Sequence, residues 1–212
     1  MITADLYLNK IDFLKYLPRT DCKECGEPSC TIFAKGLKSG TQTPEKCPFL
    51  QDSQILAFQL AINGDRILPK VPALDLPRPA TTGLTEINGA DESSLVLLSG
   101  NSEFTQEVIT TMMGFTLSPF WLLFVDCRGD TVDMAMVYQS LKVEKIIATV
   151  EESGLRQGQA RRRIILPGFA SGLKEPVERQ TGWQVRVGPL CIAELPLFLG
   201  DDWEIPPDVY LG

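Results

Sequence analysis

The chain is predicted to be α/β: a small helical module carrying four cysteines, then a domain with a mostly parallel sheet. Three observations predict it. Four of the six cysteines fall between Cys22 and Cys47. A run of prolines then interrupts all periodicity. Beyond it, short apolar runs alternate with segments of helical spacing, the pattern of strands joined by crossover helices.

In the first module, Leu8, Ile11, Leu14 and Leu17 sit at helical spacing, and Pro18 closes that segment. Ser29 to Leu37 is a second helix, with Phe33 and Leu37 on one face. Leu50 to Ile62 is a third, ending at Asn63-Gly64. From Leu68 to Asp91 the prolines at 69, 72, 77 and 79 break helices and deprive any strand of donors. This stretch is expected to be a semi-extended linker, or an arm wrapped across the second domain. Strands are then expected at Leu95–Leu98, Trp121–Val125, Ile164–Leu166 and Trp183–Val187. Helices are expected at Phe104–Met113, Thr131–Leu141, Lys142–Glu152 and Ser171–Gln180. The expected domains are thus 1–66, a linker at 67–92, and 93–212.

Composition excludes several kinds of function. The net charge of −7 argues against a broad basic face for nucleic acid. The single basic run, Arg161 to Arg163, is expected to be a solvated face before a strand. No apolar run approaches the roughly 18 residues of a membrane span. No secretory pattern opens the chain, which reads as cytoplasmic. Histidine is absent. That removes Ser-His-Asp and Cys-His chemistry and any His-ligated zinc or haem.

Crowded cysteines in a cytosolic chain point to metal rather than disulfides. The spacing is Cys22-x2-Cys25-x4-Cys30-x16-Cys47. A [4Fe–4S] cubane needs three thiolates from one tight loop and a fourth from a separate turn, and this spacing supplies both. Gly26 and Pro28 shape the loop, and Pro48 follows the last cysteine. Zinc prefers two cysteine pairs on two knuckles, which the solitary Cys47 fits poorly. A four-cysteine zinc interaction module and a disulfide framework stay as alternatives.

In a parallel sheet, ligands bind beyond the carboxyl ends of the strands. Ser99–Asn101, Asp126–Val132, Pro167–Ala170 and Gly188–Cys191 fall at such ends. Each also has an ordinary reading: glycines as turn residues, Asn101 and Ser102 as helix caps, Cys127 and Cys191 as buried thiols. From these residues alone the domain is a Rossmann-like fold of unknown ligand.

The stretch Leu17-Pro18-Arg19-Thr20-Asp21-Cys22-Lys23-Glu24-Cys25-Gly26, with Pro28-Ser29-Cys30, Phe33-Ala34 and Pro44-Glu45-Lys46-Cys47-Pro48, resembles a known iron–sulfur domain. It is that of the corrinoid iron–sulfur protein large subunit, the gamma subunit of acetyl-CoA decarbonylase/synthase. Ser99-Gly100-Asn101 with Thr105, Val125-Asp126 with Gly129, Ile164 to Ala170, Thr181 to Val185 and Val187-Gly188-Pro189 resemble the same family's corrinoid-binding domain. The family carries a TIM barrel between these domains. Here only the proline-rich segment separates them, so the chain resembles a shortened form.

The resemblance implies a [4Fe–4S] cluster on Cys22, Cys25, Cys30 and Cys47, and a cobalamin-type corrinoid. The corrinoid contacts it implies are Ser99, Gly100, Asn101, Thr105, Asp126, Gly129, Asp130, Thr131, Val132, Gly168, Ala170, Gly188 and Pro189. It implies a methyl carrier of anaerobic one-carbon metabolism. Cobalt would cycle between Co(I) and methyl-Co(III), and the cluster would return Co(II) to Co(I). Without histidine, no imidazole of this chain stabilises oxidised cobalt from below. A protein partner, a methyltransferase or a TIM-barrel subunit, would cover the corrin face. An iron–sulfur electron-transfer or scaffold protein without corrinoid is the alternative.

Overall fold

The computed structural model describes residues 7–70, 77–155 and 162–206. The chain forms two compact units: Met1–Leu68 with Cys191–Gly212, and Pro69–Leu190.

The first unit opens with two 3-10 turns, Leu8–Lys10 and Phe13–Tyr16, where the apolar spacing predicts one helix. That spacing explains the difference. Leu8, Ile11, Leu14 and Leu17 are three apart, which is the 3-10 period, and Asp12 leaves helical backbone at φ −97°, ψ 85°. Asp65 Oδ1 and Oδ2 accept from the amides of Tyr7 (3.0 Å) and Leu8 (2.9 Å). Helix α1 spans Cys30–Ser39, starting on a Ser29 cap and stopping at left-handed Gly40. It buries Phe33, Ala34 and Leu37. A 3-10 turn at Pro44–Lys46 leads into Cys47. Helix α2 spans Asp52–Ile62 behind a Gln51/Gln54 capping box, and α3 spans Gly64–Ile67. Phe58 of α2 stacks on Phe13 at 5.7 Å between ring centroids.

The second unit is a five-stranded sheet. Its elements are β1 (Gly83–Ile87), β2 (Leu95–Gly100), α4 (Glu103–Met113), β3 (Phe120–Val125), α5 (Val132–Val137), α6 (Val143–Glu152), β4 (Arg163–Leu166), α7 (Lys174–Thr181) and β5 (Gln184–Val187). The strand order is β1-β3-β2-β4-β5. β1 runs antiparallel to β3, and every other pair is parallel. Val96, Leu98, Leu123, Val125, Ile164, Leu166 and Val185 alternate onto one face, against Ala135, Ile146, Val150 and Val177 of α5, α6 and α7. Helix α4 buries Val108, Ile109, Met112 and Met113. A right-handed crossover between β2 and β3 assigns it the opposite face.

Two expected boundaries move. The stretch expected as a linker holds β1 and, at residues 77–82, an ordered arm. Residues 71–76 of that stretch, and Arg161 of the basic run, lie outside the described residues. The second unit ends at Leu190 rather than at the last residue. Helix α8 (Leu195–Leu199) packs on α2 in the first unit. The buried Glu194 anchors that return. Its Oε1 accepts from the Tyr16 hydroxyl at 2.5 Å and lies 3.7 Å from Lys15 Nζ. Burial and the Glu194 carboxylate together push the Tyr16 phenol far above its ordinary value. No helix among the described residues is long and apolar enough to cross a membrane.

Candidate iron–sulfur and ligand sites

The four clustered cysteines are free thiols on three neighbouring pieces of the first unit. Cys22 is exposed on the loop, Cys25 and Cys30 are half-buried, and Cys47 is buried. Cys30 begins α1, and Cys47 ends the Pro44–Lys46 turn. Arg19, Asp21 and Lys23 adopt left-handed backbone at φ 56°, 48° and 67°, and Gly26 follows at 85°. Each non-glycine in that region costs about 1 kcal/mol. These left-handed residues fold the loop tightly around Cys22 and Cys25, and the Gly26 amide closes a turn on the Lys23 carbonyl at 3.0 Å. Lys23 and Lys46 stand exposed beside Cys22 and Cys47. Among the described residues, no three cysteine or carboxylate side chains gather as ligands of one metal ion. A zinc shell needs four sulfurs about 2.3 Å from a single point. A cubane needs less convergence, because each thiolate binds its own iron.

The second candidate site is the carboxyl edge of the sheet. Ser99 and Gly100 end β2, and Asn101 follows. Asp126, Gly129 and Asp130 lie in the loop after β3. Thr131 caps α5, Val132 begins it, and Thr105 sits in the first turn of α4. Gly168 and Ala170 lie in the 3-10 segment after β4, and Gly188 and Pro189 follow β5. The fold brings these loops to one edge. β2 lies between β3 and β4, so the crevice of a doubly wound sheet falls between β2 and β4.

Internal packing already accounts for several of these residues. Asn101 is 3% exposed, and its Oδ1 accepts from the amides of Cys127 (2.7 Å) and Gly129 (3.3 Å). Its Nδ2 donates to the Ala80 carbonyl at 3.2 Å. The arm crosses the β2 and β3 ends here. The Ala80 amide donates to the Asn101 carbonyl (2.7 Å), and the Glu103 amide donates to the Arg78 carbonyl (2.9 Å). A Cβ on Gly129 would lie 2.2 Å from Pro79 N, and one on Gly168 would lie 2.8 Å from the Pro189 carbonyl. A Cβ on Gly188 would meet Ile165 at 2.9 Å, and one on Gly100 would meet Cys127 Sγ at 3.0 Å. Close packing of backbone on backbone therefore requires glycine at 129 and 168, and leaves little room for a side chain at 100 and 188, whatever else approaches them. Asp130 is buried and accepts from the Ser140 hydroxyl, and the Thr131 hydroxyl donates to Asp133. A hydrogen bond from Lys145 at 2.9 Å, aided by the Arg128 amide, holds the Asp126 carboxyl below the usual carboxylate range.

The β4–β5 half of the edge lies outside the arm's contacts. Exposed apolar side chains surround it: Met134 and Val137 of α5, Tyr138 after it, Phe169, and Leu190. Sequence periodicity misses these residues because it marks apolar side chains as core. The scarcity of charge around 134–141 and 164–173 is the available signal.

Burial pushes the Cys127 and Cys191 thiols up to about 11. A thiol whose folded value is raised stabilises the fold below its unfolded value near 9, and that stability disappears as pH rises through 11. Unfolding by urea at about pH 8 and about pH 10.5 is expected to show a smaller alkaline loss in Cys127→Ala than in wild type, by about 2 kcal/mol. Equal losses would mean that Cys127 ionises freely in the fold.

The fold and the thiol loop together define a two-unit protein: a four-cysteine module and a doubly wound α/β unit. The model of the CO dehydrogenase/acetyl-CoA synthase delta subunit family matches residues 72–199, and the chain belongs to that family. A second family model, described as "Putative Fe-S cluster", matches residues 17–49. Between the two matches lie only residues 50–71, which include α2 and α3. The chain is 31% identical over 123 residues to the acetyl-CoA decarbonylase/synthase complex subunit gamma of Methanopyrus kandleri. That covers 58% of this chain and 27% of the relative. It is 36% identical over 106 residues to the corrinoid/iron-sulfur protein large subunit of Moorella thermoacetica, 50% of this chain and 24% of the relative. The gamma subunit of Methanocaldococcus jannaschii is 30% identical over 128 residues, 60% of this chain and 26% of the relative. The matched stretch thus spans about a quarter of each of these relatives.

Proposed function

We propose that this chain is an iron–sulfur corrinoid protein that carries a methyl group on cobalt and uses its own cluster to keep that cobalt reduced. One observation carries the reading: a single chain joins a four-cysteine loop with left-handed backbone at Arg19, Asp21 and Lys23 to a doubly wound unit whose β4–β5 half-edge carries exposed apolar side chains. The names of its relatives add support. Cys22, Cys25, Cys30 and Cys47 hold a [4Fe–4S] cluster, and the solitary Cys47 suits a cluster better than a pair of zinc knuckles. Gly168, Phe169, Gly188–Leu190 and Thr131 offer the remaining surface for a broad apolar macrocycle, while Val132 and Ala170 are buried in the core. Ser99 and Thr105 lie beside the crevice. When bound, the cluster supplies single electrons and the corrinoid cobalt accepts and donates a methyl group. The chain's own part is to position both groups and to leave cobalt without an imidazole. A partner protein covers the exposed side of the ring, where Met134, Val137 and Tyr138 stand in solvent.

The arm favours a second reading. It occupies the β2–β3 half of the edge and ties down Asn101 and Gly129, two of the expected contacts. An iron–sulfur electron-transfer protein without corrinoid needs no open edge at all.

One anaerobic experiment separates the readings. The chain is reconstituted with iron and sulfide, offered cob(II)inamide, desalted and assayed for iron and cobalt. The corrinoid reading expects about four irons and one cobalt per chain. It also expects the Co(II) electron paramagnetic resonance signal to disappear when a low-potential one-electron donor reduces the cluster. Iron without cobalt retention would establish the second reading. Replacing Cys47 by alanine is expected to remove most of the iron while far-ultraviolet circular dichroism stays unchanged.

A further inference from the structure

We infer that Asp21 is a positioning residue for the cluster, closing the cysteine loop and holding a negative charge beside it; this rests on the iron–sulfur reading above. Asp21 Oδ1 accepts from the Cys30 amide at 2.7 Å. Cys30 is the first residue of α1, so its amide is one of the four that a helix start leaves without a partner. The Ser29 hydroxyl serves a different amide of the same turn, that of Ile32. Asp21 is therefore not a redundant cap. Its bond spans nine residues and joins the two ends of the segment that contains Cys22 and Cys25. The closure brings Cys22, next to Asp21 in sequence, towards Cys30.

The backbone supports this role. Asp21 sits at φ 48° between left-handed Arg19 and Lys23. An unliganded loop would relax from three such residues, and a carboxylate bond to a helix amide offsets their cost. The same bond has an electronic consequence. A fixed carboxylate beside an anionic cluster opposes the entry of another electron. It also engages an amide that would otherwise be free to donate to sulfur. Net charge and hydrogen bonds to sulfur are two of the levers that set a cluster's potential, and both act here towards a low one.

The test compares wild type, Asp21→Asn, Asp21→Ala and Asp52→Ala, each reconstituted anaerobically with iron and sulfide. Asp52 is an exposed carboxylate of the same unit, at the start of α2, and controls for overall charge. The readouts are iron loss to a chelator and the reduction potential from a spectroscopic titration. Asp21→Ala is expected to lose iron at least tenfold faster than wild type. Asp21→Asn keeps an acceptor for the Cys30 amide, so it is expected to retain iron and to reduce at a more positive potential. Asp52→Ala is expected to match wild type in both. Iron loss from Asp21→Ala at the wild-type rate overturns the positioning role. An unshifted potential in Asp21→Asn overturns the electrostatic role, and it does so even if Asp21→Ala fails to fold. A wild-type chain that takes up no iron sinks the iron–sulfur reading itself and this inference with it.

Discussion

Gly129→Ala is expected to release the arm from the sheet edge. The new Cβ would sit 2.2 Å from Pro79 N and 2.4 Å from the Arg78 carbonyl carbon. Those are backbone atoms and cannot swing aside as a side chain does. Gly129 also stands at φ 80°, where alanine adds about 1 kcal/mol of strain. The chain has two ways to respond. It can distort the β3 loop, which overpacking data put at roughly 1–3 kcal/mol or more. Or it can lift the arm, losing the bonds at Ala80, Arg78 and Asn101 at about 1 kcal/mol each. Either route costs about 3 kcal/mol, a large share of the roughly 5–15 kcal/mol typical of a domain. Hydrogen exchange distinguishes them. Release of the arm is expected to speed exchange at the Ala80 and Glu103 amides by about a hundredfold and to leave β4 and β5 protected. Unchanged protection at those two amides would show that the loop yields instead.

Asn101→Ala is expected to be nearly as damaging, for a different reason. The substitution removes the acceptor of the Cys127 and Gly129 amides and the donor to the Ala80 carbonyl. The site is closed to solvent, so water does not replace the lost partners. Each buried group left unmade costs about 1–3 kcal/mol, and the total is expected near ~3 kcal/mol. In a chain of this size that lowers the thermal midpoint by roughly 10 °C. A midpoint within about 2 °C of wild type, by the same size scaling, would mean that water enters the site. Because Asn101 and Gly129 fasten the same arm, the double variant is expected to lose clearly less than the sum of the single losses. Additive losses would separate the two residues into independent roles.

The elements that can be read in advance share one property: their signal is local. Helix α1 announces itself from Ser29 through the Phe33 and Leu37 spacing. β2, β3 and β4 are short, mostly apolar runs bounded by turn residues, and β5 alternates polar and apolar residues. The cysteine spacing needs no fold to suggest a cluster. β1 is hidden from such a reading because Gly-Leu-Thr-Glu-Ile is a half-exposed edge, and only pairing with β3 makes it a strand. The first apolar repeat misleads because a spacing of three serves a 3-10 turn as well as a helix. The four edge glycines are legible as glycines, but their reason is not. Gly129 and Gly168 lie against backbone distant in sequence, and Gly100 and Gly188 pack on Cys127 and Ile165, contacts that no local pattern shows. Asp21 stands within a legible motif, yet its bond to Cys30 depends on a loop closing in three dimensions.

Thiol spacing and the alternation of apolar runs are enough to establish a four-cysteine helical unit and a mostly parallel α/β unit. Long-range contacts alone assign Cys191–Gly212 to the first unit, lay the arm across β2 and β3, and leave the β4–β5 half of the edge outside the arm's contacts. The difference has a physical origin. Periodicity and turn chemistry are properties of neighbouring residues. A Glu194–Tyr16 bond, or a glycine packed under a proline, becomes favourable only after the folded core has met the entropy of bringing distant segments together.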